Sequence, residues 1–179
     1  MKKKIDNSRE MSKHCESALT IENISFECAK KIWEERILDF VNIISSEIQL
    51  QAAKWEMSKM RVNTYRVDEN GLKKRGGSGH GYLVKIELQK EDTEKIWTLF
   101  EQFSNNCDLK VERLENNEKD LERYDFKATN VKSEDSISCS IYLPNEWNKN
   151  PCISISVFVG ARYRQTDLNN MLNINETDE

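Results

Sequence analysis

Residues 136–143 read Ser-Ile-Ser-Cys-Ser-Ile-Tyr-Leu, and residues 153–159 read Ile-Ser-Ile-Ser-Val-Phe-Val. Apolar residues occupy every second position of both stretches, which is the period of a β-strand with one buried face. Serine fills most of the alternate positions, so the opposite face of these strands is expected to meet solvent. A sheet that is covered on one side only is typically antiparallel. Pro144 and Pro151 bound the connector between the stretches, which predicts a hairpin-like turn.

Weaker alternation extends the predicted sheet towards the N-terminus. The further candidate strands lie near 61–67, 82–88, 109–111 and 124–128. A shorter helix is predicted over about 92–103, because Ile96, Leu99, Phe100 and Phe103 share one helical face. The sheet is therefore interrupted by a helix that can cover its apolar side.

The first third of the chain predicts a long helix. Glycine and proline are absent before residue 71, and Ser25 is a suitable N-cap. A helix over about 26–60 follows from apolar residues that recur every three or four positions: Trp33, Ile37, Val41, Ile44, Ile48, Ala52 and Trp55. A wide apolar stripe of this kind requires a sheet or another helix to cover it.

These elements predict an α+β fold. We expect a curved antiparallel sheet of about five to six strands, covered on one face by the long N-terminal helix and the shorter second helix. Residues 25–165 form the single domain, with a glycine-rich loop at 71–81 and mostly β-structure from 82. Residues 1–24 are a polar N-terminal segment whose order the sequence does not decide, and residues 166–179 are expected to form a flexible tail rich in acids and asparagine.

The totals exclude several classes of function. The net charge of −4 provides neither the basic field of a general nucleic-acid binder nor the dense acidity of a nucleic-acid mimic. The five cysteines contain no CxxC pair, so we expect reduced core thiols and no metal site. No window approaches the ~20 apolar residues of a membrane span, and no signal-peptide pattern is present. We expect a cytoplasmic protein that needs no cofactor and contacts no membrane.

Basic residues cluster in and around the glycine-rich loop. Glycine lets backbone N–H groups converge on an anion, and nearby cations add charge to such a site. The phosphate-loop pattern requires a helix after its glycines, whereas a strand is predicted here. The candidate ligand-binding or nucleic-acid-binding residues are Arg61, Arg66, Lys73, Lys74, Arg75, His80, Arg162 and Arg164.

His80 lies between two glycines and is the only histidine outside the N-terminal segment. In a glycine-rich loop an exposed histidine is favoured over a catalytic one, and no catalytic residue is assigned. An enzyme centred on His80 would require a cavity around it that holds at least one carboxylate or cysteine.

A second apolar line suggests a contact with a partner. Ile43, Leu50 and Met57 are spaced by seven on the predicted long helix, and Trp147 lies at the tip of the predicted hairpin turn. Packing against the N-terminal segment is the simplest explanation for this line, and a homodimer contact is the alternative. These four residues are the candidate partner-binding residues.

The function that the sequence favours is that of a non-catalytic intracellular binding protein. Such a protein would be a small regulator, inhibitor or adaptor that acts through a protein partner. The abundance of lysine, asparagine, isoleucine and glutamate is typical of an AT-rich genome, so an accessory protein of a bacterium or phage fits the composition. The alternatives are a nucleic-acid-binding or phosphate-binding protein that uses the basic loop, and an enzyme centred on His80.

Overall fold

A computed structural model describes residues 21, 23–50, 53–67, 69, 71–116, 122–146 and 148–175. These residues form three helices and seven strands. In chain order they are α1 Phe26–Glu47, β1 Glu56–Ser58, β2 Arg61–Val67, β3 Lys73–Lys85, α2 Lys90–Asn106, β4 Lys110–Asn116, β5 Arg123–Thr129, β6 Ser136–Tyr142, β7 Cys152–Arg162 and α3 Gln165–Asn175.

The seven strands form one open antiparallel sheet in the order β1-β3-β7-β6-β5-β4, with β2 also paired to β3. Gly77 pairs with Val62 of β2 on one side and with Val159 of β7 on the other. β1 and β2 therefore follow one another along the same side of β3. The α+β fold with an antiparallel sheet is confirmed. The strand that was not predicted is β1. It has only three residues, and so short a segment shows no alternating pattern in the sequence.

Both α1 and α2 cover the same face of the sheet, as expected. The period of two places Ile153, Ile155, Val157 and Val159 under α1, and they are almost completely buried. α1 packs mainly on β7 and β3, whereas α2 packs on β4 and β5. The two helices meet where the ring of Phe40 lies edge-on to that of Phe100, with centroids 5.7 Å apart. A single apolar layer therefore separates the helices from the sheet.

The prediction that the long helix runs to residue 60 is wrong, because α1 ends at Glu47. Gln49 has a left-handed φ of 58°, which turns the chain out of the helix. Leu50 is then buried in the core, with its N–H donating to the Ser45 carbonyl at 2.7 Å. Trp55 donates from Nε1 to the Ser45 hydroxyl at 2.9 Å. Packing of Leu50 and Trp55 against the core thus replaces the helical continuation that their spacing predicted.

The prediction of a glycine-rich loop at 71–81 is also wrong, because most of these residues lie in β3. Gly81 is needed for close approach, because a Cβ at this position would collide with the backbone of Ile155. At Gly77 a Cβ would meet the flexible end of the Met60 side chain. Glycine in a strand often marks such a crowded position, a distinction that composition alone does not reveal.

The C-terminal segment differs from the expected flexible tail. Residues 165–175 form α3, which begins with the N–H of Gln165 donating to the carboxylate of Glu27 at 2.9 Å. The chain before it is also attached to α1, because the N–H of Phe26 donates to the carbonyl of Tyr163 at 2.9 Å. Residues 1–20 and 176–179, which complete the two predicted terminal segments, lie outside the described residues.

The described cysteines differ in exposure. Cys107, Cys139 and Cys152 are free thiols, whereas Cys28 is disulfide-bonded and departs from the expectation of reduced thiols throughout. Cys139 lies in β6 and is completely buried, and this burial raises the pKa of its thiol. Cys107 and Cys152 are only partly buried.

N-ethylmaleimide is therefore expected to label Cys152 and Cys107 of the folded protein well before Cys139. The reagent requires an accessible thiolate, and burial removes both access and thiolate at Cys139. Mass spectrometry of digested samples taken over time measures the three rates. In denaturant the rates should become similar. Equal labelling of Cys139 and Cys152 in the folded protein would contradict the position of β6 in the core.

Candidate functional site

A groove lies between α1 and the outer strand β1, with β3 as its floor. Its volume is about 560 Å³, which is within the usual range for a binding site. This α1–β1 groove is lined by Lys30, Lys31, Glu34, Glu35, Leu38, Met57, Lys59, Met60, His80 and Tyr82.

The register of the strands explains why these side chains meet. Met57 pairs with Tyr82, and Tyr82 pairs with Ile155, whose side chain belongs to the core beneath α1. Residues that pair directly point to the same face of a sheet. Met57 and Tyr82 therefore lie on the helix-covered side, but close to its outer edge. There Leu38 of α1 remains 43% exposed and Met57 54% exposed, so this apolar surface is incompletely covered.

His80 is the polar group at the floor of the groove. It is only 5% exposed, so it is not the exposed loop histidine that the sequence favoured. Its Nδ1 lies 3.0 Å from the carbonyl oxygen of Ser58. Nε2 is buried and has no hydrogen-bond partner among the described residues. A buried polar atom without a partner costs about 1–3 kcal/mol, so among the residues that line the groove His80 is the one whose side chain most needs a further partner.

Tyr82 lies beside His80, with the two rings edge to face and their centroids 5.6 Å apart. Burial, together with the negative charge of Glu34, raises the pKa of the Tyr82 phenol, which therefore stays protonated at neutral pH. Glu34 itself forms an ion pair with Lys30 at 3.1 Å. Among the described lining residues, the floor of the groove therefore holds no carboxylate or ammonium group, while the lysines and glutamates line its rim.

The enzyme hypothesis required a cavity around His80 with at least one carboxylate or cysteine. The α1–β1 groove contains both Glu34 and Glu35. Its described lining contains no serine, threonine or cysteine that His80 could activate as a nucleophile. Histidine in this setting can accept a hydrogen bond or a proton from a bound molecule.

Arg162 does not belong to an exposed basic surface, and that part of the prediction requires correction. Its guanidinium is 5% exposed and forms a double hydrogen bond with Asp135, at 2.7 Å to Oδ1 and 2.6 Å to Oδ2. Nη2 also donates to the carbonyl of Ile21 at 2.9 Å. Asp135 is completely buried. Arg162 is therefore a structural residue that joins three distant parts of the chain.

Lys73, Lys74 and Arg75 begin β3, whereas Arg61 pairs with Ser78 at the other end of the β2–β3 pairing. Several of the remaining basic residues already have contacts within the chain. Lys74 lies over the ring of Tyr163, 4.7 Å from its centroid. Arg164 pairs with Asp167 at 2.9 Å, and this contact lowers the pKa of the Asp167 carboxyl. The charge of Arg75 acts on the same carboxyl.

Arg61 and Lys73 are exposed on β2 and β3. The side chain of Arg66 lies outside the described residues. Nucleic-acid binding by this surface therefore depends on fewer free cations than the sequence indicated, and it stays a prediction.

The predicted line of Ile43, Leu50 and Met57 does not form, because α1 ends before Leu50 and Met57. Ile43 is exposed on α1, whereas Leu50 is buried in the core. Met57 lies on β1 and lines the α1–β1 groove. Trp147 lies outside the described residues.

Sequence reasoning missed the wall and half of the floor of the groove. One side of α1 forms the wall, and its spacing of four could have been recognised in the sequence, as in Lys30, Glu34 and Leu38. Tyr82 was assigned only to the alternation of a strand. The pairing of β1 with β3 that brings Met57 to Tyr82 has no local signal.

The part of the chain that the structure describes contains no group of three or more histidine, cysteine or acidic residues arranged to hold a metal ion. No helix in the described ranges is both long and apolar enough to cross a membrane. Comparison with protein-family models, curated proteins and solved structures finds no match. The fold and the groove are therefore the basis for assigning a function.

Proposed function

We propose that this protein is a non-catalytic binding protein that takes an extended segment of a protein partner into the α1–β1 groove. It would act as a regulator, inhibitor or adaptor. The proposal depends mainly on one observation, which is the uncovered apolar surface of Leu38 and Met57 beside an outer strand. Large exposed apolar side chains that share a concave site are typical of a contact with another molecule.

The outer strand favours an extended segment. Within the described residues β1 pairs with β3 on one side only, and all three of its residues are exposed. The backbone groups on its other side can pair with an added strand, which is a common mode of peptide recognition. Three residues span only about 10 Å, so an added strand gains few backbone hydrogen bonds from β1. Side chains that enter the groove must therefore provide most of the affinity.

The charges of the rim define the partner further. Three lysines and two glutamates line the groove, and Lys30 is already paired with Glu34. Such a mixed rim provides no strong field for a nucleic-acid backbone, whose binding depends on several unpaired cations. It suits a segment that is neutral or slightly acidic overall.

The proposal is tested by selecting binding segments from a displayed library of extended peptides on the immobilised protein. Met57→Lys and Leu38→Asp are each expected to weaken the selected segments by at least about tenfold, because truncating a central apolar contact typically costs about 2 kcal/mol. Val62→Lys is the matched control, since Val62 is an exposed apolar residue on neighbouring β2 that does not line the groove. Fluorescence anisotropy with labelled peptides measures the affinities.

The control variant is expected to bind within about twofold of the wild type, since a surface substitution away from the contact changes little. Recovery of no binding segment would contradict the proposal. Equal weakening of all three variants would also contradict it, because the segments would then bind elsewhere or recognise unfolded protein.

A second candidate, an enzyme that uses His80 as a general base, is favoured by the carboxylates of Glu34 and Glu35 in the same groove. Its substrate would be a small molecule from which Nε2 of His80 removes a proton. Glutamine can accept a hydrogen bond in place of His80 but cannot take up the proton. The variant His80→Gln would therefore retain a bound substrate and lose turnover, whereas a purely binding protein shows no turnover to lose.

A further inference from the structure

Resting on the proposed function, we infer that the partner inserts a side chain with an apolar body and a hydrogen-bond-donating tip, namely tyrosine or tryptophan. The tip donates its hydrogen to Nε2 of His80. The α1–β1 groove would therefore recognise an aromatic hydrogen-bond donor in its partner.

The contact between His80 and β1 determines what Nε2 can do. A carbonyl oxygen only accepts hydrogen bonds, so Nδ1 of His80 must carry the hydrogen in its 3.0 Å contact with Ser58. In the neutral ring Nε2 then has no hydrogen and is an acceptor. Because Nε2 is buried without a partner among the described residues, a donor from a bound molecule would satisfy it.

The side chains that line the groove with His80 favour an aromatic body for the incoming side chain. Met57, Met60 and Tyr82 line the same groove, and thioether groups make favourable contacts with aromatic rings. An aromatic ring therefore fits this lining better than a short polar side chain. Tyrosine and tryptophan combine such a ring with an O–H or N–H group at its end.

A cationic donor is disfavoured at the same place. Lys30, Lys31 and Lys59 line the groove together with Glu34 and Glu35, so an incoming lysine would meet a net excess of one positive charge. Glu34 is already paired with Lys30. A neutral phenol or indole meets no such repulsion. Phenylalanine would fill the same space but leave Nε2 without a donor.

The inference is tested with two small probes that differ only in the hydroxyl group, N-acetyl-tyrosinamide and N-acetyl-phenylalaninamide. NMR titration of the full chain is expected to show the tyrosine amide binding about tenfold more tightly. This ratio corresponds to the usual effect of satisfying a buried acceptor. N-acetyl-tryptophanamide is expected to bind similarly to the tyrosine amide. In protein labelled with ¹⁵N-histidine, the Nε2 resonance of His80 should move with the tyrosine amide and stay in place with the phenylalanine amide.

Two variants distinguish the effect of the hydrogen-bond acceptor on probe binding from the effect of the shape of the histidine ring. In His80→Gln the amide oxygen can occupy the position of Nε2, so the preference for tyrosine should be retained. In His80→Asn the shorter side chain can replace only Nδ1, so the preference should be lost. Circular dichroism and thermal unfolding establish that both variants are folded. The wild-type ¹⁵N measurement tests the inference even if a variant is unfolded.

Equal binding of the two probes to the wild type would overturn the inference, as would an unchanged preference in folded His80→Asn or no binding of either probe. These outcomes are distinguishable from failure of the proposed function. If the library yields no segment but the tyrosine preference is present, the donor site exists and the protein-partner proposal fails. If segments bind through Met57 without a tyrosine preference, the groove is a partner site that does not use His80.

Discussion

Asp135→Ala is expected to lower the free energy of unfolding by about 3–5 kcal/mol, because it leaves the buried guanidinium of Arg162 without its counter-charge. The Asp135 carboxylate is completely buried and accepts four hydrogen bonds. Two come from Arg162, and one comes from the N–H of Gly160 at 2.8 Å. The fourth comes from Nε1 of Trp33 at 2.9 Å. The substitution therefore removes the hydrogen bonds that join α1, β7 and the loop before β6.

Urea denaturation followed by circular dichroism measures this loss. The control is Lys30→Ala, which breaks the ion pair between Lys30 and Glu34 one turn apart on α1, where the side chains are 36% and 34% exposed. Exposed pairs contribute about 0–1 kcal/mol, so the control should remain close to the wild type. Similar losses in the two variants would show that burial of the Asp135–Arg162 pair does not determine its effect.

Phe100→Ala is expected to destabilise the protein by about 3–5 kcal/mol, since it removes a large side chain and leaves a cavity. Phe100 of α2 is completely buried where the two long helices meet the sheet. Its ring centroid lies 5.7 Å from that of Phe40, 5.8 Å from that of Phe126 and 6.4 Å from that of Trp97. Its loss therefore weakens the contacts of α2 with both α1 and β5.

Thermal and urea unfolding measure the effect of Phe100→Ala, and near-ultraviolet circular dichroism reports the packing of the remaining aromatic rings. Leu114→Ala is the control, because Leu114 is 59% exposed on β4. It is expected to change the stability by no more than about 0.5 kcal/mol. A loss below about 1 kcal/mol for Phe100→Ala would contradict the assignment of this aromatic cluster to the core.

Local sequence patterns predicted the elements that depend on neighbouring residues. Ser25 begins α1 as expected, with its hydroxyl oxygen accepting from the N–H of Cys28 at 3.2 Å. The alternation around Cys139 became β6, in which every second residue is buried. α2 extends only a few residues beyond the predicted 92–103. In each case the signal is a side-chain period or a cap, and both act within one or two turns of the chain.

The candidate site was less accessible to sequence reasoning. His80 and Met57 were identified, but one was placed in a loop and the other on a helix. Leu50 was expected on a second apolar line of the long helix, and it is instead buried in the core beyond the end of α1. The sequence around Arg162 shows only a basic residue next to Tyr163 and does not indicate its ion pair with Asp135. Its charge is used within the fold rather than for a ligand.

By itself the sequence determined the antiparallel strands, the start of α1, and the second helix, because each follows from residues a few positions apart. Only the tertiary structure decided where α1 ends and that the glycine stretch is a strand. It also decided that Nδ1 of His80 meets Ser58, 22 positions away, and that Trp33 meets Asp135, 102 positions away. Contacts over such separations depend on how whole elements pack, and local patterns do not encode them. The α1–β1 groove belongs to this second class, because it exists only where β1 pairs with β3 beneath the edge of α1.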